Sequence, residues 1–178
     1  MMRVLIIGYG VVGRNMAKLF PGAHLHDPEQ FCTAHEGVHY DIGFVCVPTD
    51  PLPDGTADTS IVEAVVREHS DRCSVLVIKS TVPPGTTQRL ADQGYRVVMS
   101  PEYFGGTQHA NGVDYGFVIL GGHPMDTAVA AQLYEATKPA SFRILRTDPT
   151  TAELVKYGEN AWLATKVSFC NEMARIAD

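Results

Sequence analysis

The stretch "RVLIIGYGVVGRNMAKLF", residues 3–20, constrains this chain more than any other. An apolar, β-branched run, Arg3–Gly8, goes straight into glycines, and a helically spaced segment follows with Val12, Met16 and Leu19 on one face. Gly8, Gly10 and Gly13 stand as G-x-G-x-x-G between a predicted buried strand and a predicted helix, which is the context the motif requires. Gly8 permits the tight turn, Gly10 lets a pyrophosphate approach the backbone, and Gly13 lets helix and strand pack closely. The helix N-terminus beyond it, at Val11 and Val12, offers unpaired N–H groups and a positive dipole end to phosphates.

The same alternation runs on. Strands are predicted over 23–27, 41–48, 74–80, 95–101, 115–122 and 142–147, and helices over 60–70, 88–94, 124–138 and 151–178. Ser60 with Glu63, and Thr150 with Glu153, have capping-box spacing. Such a pattern specifies an α/β fold: a Rossmann-like, doubly wound, mainly parallel sheet with helices on both faces, plus a long C-terminal helix. The plausible division is a sheet domain over 1–148 and a connecting or dimerisation helix over 149–178. Asp27 falls 19 residues after Gly8, at the end of the second strand. A carboxylate there accepts the adenosine ribose hydroxyls and repels a 2′-phosphate, so the expected cofactor is NAD.

Bulk properties exclude some classes. The 178 residues carry a net charge of −6, which argues against a nucleic-acid-binding face. No apolar run approaches the ~20 residues of a membrane span, so no membrane partner is expected. Cys32, Cys46, Cys73 and Cys170 are scattered without C-x-x-C, as in a cytoplasmic protein with reduced thiols. His24 and His26 flank the Asp27 site with no third residue at metal spacing, so they read as packing or surface residues and no metal site is expected.

Four further stretches, "FVCVPT" (44–49), "KSTVPPGTT" (79–87), "SPEYF" (100–104) and "AELVKYGENAWLATKVSFCNE" (152–172), occur in order after the glycine loop. Together they resemble the N-terminal half of the UDP-glucose/GDP-mannose dehydrogenase family. The resemblance implies oxidation of a nucleotide-sugar alcohol to the acid with two NAD per turnover, on a UDP-glucose- or GDP-mannose-type substrate. The expected cofactor contacts are Gly8, Gly10, Val11, Val12, Gly13, Asp27, Val47, Pro48, Thr49, Ser80, Thr81 and Glu102. The resemblance gives Thr81 and Glu102 catalytic roles, Glu102 as a general base or water activator. Lys156 and Asn160, one turn apart on the terminal helix, are implied to stabilise negative charge on the sugar oxygen. β-Hydroxyacid and prephenate dehydrogenases share the glycine loop but do not combine "KSTVPPGTT" with "AELVKYGEN".

Two departures stand out. The family's nucleophilic Cys lies in a Gly-Gly-x-Cys stretch beyond the terminal helix, and nothing here matches it. Cys170 is 14 residues past Lys156, roughly 21 Å along a helix, and reads as a packing residue. Gly106 stands where the family carries a second acid. The terminal helix is apolar nearly all round, so burial on several sides and a homodimer through this helix are expected. Two readings follow: the NAD-binding portion of an enzyme completed by another segment or chain, or a catalytically incomplete NAD-binding module acting with a partner chain.

Overall fold

The computed structural model describes residues 2–28, 37–103 and 116–177. The elements are β1 (Val4–Ile7), α1 (Val11–Leu19), β2 (His24–His26), β3 (Tyr40–Val45), α2 (Ser60–His69), β4 (Cys73–Ile78), α3 (Thr86–Asp92), β5 (Val97–Met99), β6 (Phe117–Gly122), α4 (Pro124–Thr137), β7 (Arg143–Thr147) and α5 (Pro149–Ala177). They form one seven-stranded sheet in the order β2-β1-β3-β4-β5-β6-β7. All neighbours are parallel except β5 and β6. An antiparallel neighbour needs no crossover helix.

The doubly wound reading holds because the central strands are apolar on both faces. Val4, Ile6, Ile42, Phe44, Val75 and Val77 bury one face with Met16 of α1 and Ala130, Ala131, Leu133 and Tyr134 of α4. Leu5, Ile7, Tyr40, Val45, Leu76 and Ile78 bury the other, with Val62 and Val66 of α2, Leu90 of α3 and Ala152 of α5. The chain turns to opposite sides of β1 to make β2 and β3, so a crevice opens beyond their C-terminal ends.

Four local expectations are corrected. Glu63 does not close a capping box on Ser60; it accepts the Thr59 hydroxyl at 2.7 Å and pairs with Arg89 at 2.9 Å, while Asp58 takes the Ser60 amide. Asp148, not Thr150, caps α5, accepting the Thr151 amide at 2.8 Å. Nor is α5 buried on several sides. Its buried residues are Pro149, Ala152, Glu153 and Lys156, and beyond them the helix runs past the sheet, leaving Trp162 62% and Phe169 63% exposed. Cys170, expected to pack, is likewise exposed. No helix among the described residues is long and apolar enough to cross a membrane.

Candidate active site

The glycine loop is built as its spacing requires. Gly8 has φ +89°, and a Cβ there would meet the Cys46 carbonyl oxygen at 2.5 Å. A Cβ on Gly13 would collide with the Gly8 carbonyl oxygen, so the third glycine sets the closeness of α1 to β1. Gly10 differs from both: it is exposed, and a Cβ there would meet nothing within 4 Å. It caps α1 with no side chain bonded to the helix amides. That open face, beside uncapped helix amides, fits a dinucleotide pyrophosphate. Val11 is exposed at the same end and Val12 packs partly on the core.

Asp27 holds the loop from the neighbouring strand. Its Oδ2 accepts the Tyr9 amide at 2.6 Å, and the Gly8 amide donates to the His26 carbonyl at 2.9 Å. The carboxylate therefore stands at the lip of the loop, where an adenosine ribose would lie.

The loops after β3 and β4 are tied together across the same edge. Ser80 donates its hydroxyl to the Val47 carbonyl at 2.7 Å, and Thr49 donates to the Thr81 carbonyl at 2.8 Å. Ser80 is buried and its hydroxyl serves the loop itself, whereas Pro48 is exposed and Val47, Thr49 and Thr81 are half-buried at the rim.

Beyond β5, Glu102 meets α5. The Lys156 ammonium lies 3.4 Å from Glu102 Oε1 and 3.3 Å from Glu159 Oε2, and 5.6 Å above the Tyr103 ring. Lys156 is only 8% exposed, although its helix is exposed from the next turn on. Asn160, one turn further, is exposed. Thus Glu102 and Lys156 come together, and Asn160 stands at the open end of the same helix face. Gly106 lies outside the described residues.

Two buried ionic groups support this arrangement and escaped the sequence reading. Glu153, fully buried, accepts the Gly85 amide at 2.5 Å and the Thr87 amide at 2.7 Å. It thereby caps α3 from α5 and fixes the helix carrying Lys156 to the loop carrying Thr81. Its sequence signal, a capping-box spacing, pointed to the wrong partner. Lys79 donates to the Ser100 hydroxyl at 3.2 Å and to the Pro101 carbonyl at 3.1 Å, pinning the segment that precedes Glu102. Burial pushes its ammonium down to about 8. Burial also pushes the Cys46 and Cys73 thiols up to about 12, which suits packing groups and not nucleophiles. Spacing also missed a spatial grouping: the fold brings Glu68 and His69 beside His26.

A mainly parallel sheet with a glycine loop, an acid after β2 and a charged pair beyond the strand C-termini has the layout of a dinucleotide-binding domain. Family comparison narrows the class. Residues 29–138 match the NAD binding domain of the UDP-glucose/GDP-mannose dehydrogenase family, and residues 150–178 match its central domain. The chain belongs to this family, and the cofactor of its domain is NAD. It is 36% identical over 150 residues to the UDP-glucose 6-dehydrogenase YwqF of Bacillus subtilis, covering 78% of this chain and 34% of that one. The fold is similar to that of GDP-mannose dehydrogenase from Pseudomonas aeruginosa, with TM-score 0.75 and 22% identity, over 96% of this chain and 52% of that one. UDP-D-ManNAc dehydrogenase from Pyrococcus horikoshii gives TM-score 0.77 and 23% identity, over 99% and 54%. The chain spans 19% to 36% of the length of the curated relatives it matches.

Proposed function

We propose that this chain is the NAD-binding portion of a nucleotide-sugar 6-dehydrogenase that acts on a UDP-glucose- or GDP-mannose-type alcohol in the cytoplasm. The observation that carries this reading is the Glu102–Lys156 pair at the same sheet edge as the glycine loop. Bound NAD supplies the hydride acceptor. Gly8, Gly10, Gly13 and the first amides of α1 would hold its pyrophosphate, Asp27 would take the adenosine ribose, and Val47, Pro48, Thr49, Ser80 and Thr81 would supply the remaining contacts. Lys156 holds positive charge where the sugar oxygen becomes negative, and Asn160 adds a donor one turn on. Glu102, held against Lys156, orients and deprotonates a water. Full oxidation to the acid, with two NAD per turnover, takes its thiol from a further segment or a second chain, because Cys46 and Cys73 are buried as thiols and Cys170 stands roughly 21 Å along α5 from Lys156.

The exposed stem of α5 favours an association role beside this one. Trp162, Leu163, Val167, Phe169, Met173 and Ile176 are exposed large apolar residues on one helix. We infer that residues 149–178 connect or dimerise, and that two copies pack through this helix. Light scattering at micromolar concentration is expected to show a dimer; a strict monomer overturns that part.

Calorimetric titration tests the cofactor reading. NAD is expected to bind the wild type, and Gly10→Val is expected to lose binding without unfolding, because the new side chain enters the pyrophosphate's approach while its Cβ meets no protein atom within 4 Å. Equal NAD affinity in both proteins would refute the use of this loop. UDP-glucose added in the presence of NAD then tests the sugar reading, with Lys156→Ala expected to keep NAD binding and weaken that of the sugar.

A further inference from the structure

Away from the cofactor edge of β4 and β5, three side chains with metal-ligand chemistry meet where β2 faces the last turn of α2. His26 ends β2, and Glu68 and His69 close α2. One ligand atom from each lies within 4.8 Å of the others. The two imidazole rings stand 4.9 Å apart between centroids, inclined at 66°.

His69 is the unusual member. It is fully buried, and neither ring nitrogen has a hydrogen-bond partner among the described residues. Leaving a buried polar group unmet costs about 1–3 kcal/mol, and native interiors seldom tolerate it. Its Nε2 is 3.7 Å from Glu68 Oε1, too far for a hydrogen bond. Two donors bound at about 2.0–2.1 Å to one tetrahedral zinc ion stand roughly 3.4 Å apart, so this separation is close to that of two ligands of one ion.

We propose that His26, Glu68 and His69 form a site for a divalent transition metal ion, with Zn²⁺ the best fit and solvent in the fourth position. Two imidazoles and one carboxylate suit a borderline ion; magnesium and calcium take oxygen ligands. The Glu68 side chain is mostly exposed, so it closes on the ion by a rotamer change without moving the backbone. A bound ion would join the end of α2 to the end of β2, directly before Asp27. That position makes the role structural, pinning the strand that presents the ribose-binding acid.

The test uses the tag-free chain, stripped with a chelator. Zn²⁺ is titrated in competition with a chromophoric chelator, and Co²⁺ is followed by its visible absorption. One saturable equivalent with four-coordinate Co²⁺ bands is expected, together with a rise in thermal midpoint on adding Zn²⁺. His26→Ala and His69→Ala are each expected to abolish that equivalent. Glu68→Gln, a mostly exposed change that leaves the fold intact, is expected to weaken it. No saturable equivalent in the wild type overturns the site. So does binding that His26→Ala and Glu68→Gln leave unchanged, since the ion would then sit elsewhere.

Discussion

The root and the stem of α5 belong to one helix of similar composition, yet they have opposite fates. At the root, Ala152, Glu153 and Lys156 are buried, two of the three charged. Along the stem, Trp162, Leu163, Val167 and Phe169 face solvent. Hydrophobicity alone ranks the two halves the wrong way round. Burial follows the reach of the sheet: Gly121 of β6 lets the root in so closely that a Cβ there would stand 2.5 Å from that of Ala152. Charges remain at the root because each has partners placed for it by other elements, Gly85 and Thr87 for Glu153 and Glu102 for Lys156. The comparison teaches that polar residues at this root fix geometry, while apolar residues on the stem await a surface.

The largest expected effect comes from breaking the root. Glu153→Ala removes two charge-assisted bonds and leaves two amides unmet, at a cost of about 3 kcal/mol. Urea unfolding should show it as a lower midpoint with an unchanged slope. A loss below about 1 kcal/mol would mean that water replaces the carboxylate.

The pH dependence of stability is next in size. Lys79 titrates near 8 when folded and near 10.5 when unfolded, so between those values the unfolded chain binds more protons. Stability then rises with pH, by up to about 1.4 kcal/mol per pH unit. Cys46 and Cys73 act in the opposite sense, because their folded values near 12 exceed the ordinary 9 and the folded chain retains protons that the unfolded chain has lost. Stability should therefore climb from pH 8 to about 9 and flatten or fall above it. Lys79→Met should remove the climb and keep the fall; denaturant melts at each pH check both limbs.

The smallest expected effect on the folded chain is on the stem. Trp162→Ser or Phe169→Ser should change the unfolding free energy of the monomer by less than about 0.5 kcal/mol, as for other exposed positions. The same substitutions should weaken the dimer, seen as a concentration-dependent shift in sedimentation. A stem change that destabilises the isolated chain as much as Glu153→Ala would erase the distinction between the two halves.

Much of the fold was legible because its signals are local. A buried strand, a glycine turn and a helix start are written within a few residues of each other, so β1, the loop and α1 follow from residues 3–20. The alternation of strand and helix fixed the doubly wound architecture for the same reason. Family motifs named the NAD-binding domain and drew attention to Glu102 and Lys156, which the structure brings into contact. What stayed hidden depends on pairs far apart in sequence. The Glu153 spacing suggested a helix cap, but its carboxylate crosses to α3, 66 and 68 residues earlier. Lys79 looked like part of a turn motif, and only folding shows that it braces Ser100 and Pro101 from within the core. His26 had only His24 near it in sequence, with no third residue at metal spacing, and meets Glu68 and His69 through the packing of α2 on the sheet. Sequence by itself determined the fold class and the cofactor loop, because short-range backbone sterics and hydrophobic period decide them. Tertiary structure alone decided which charges are buried and with whom, because a buried charge persists only where distant elements supply its partners.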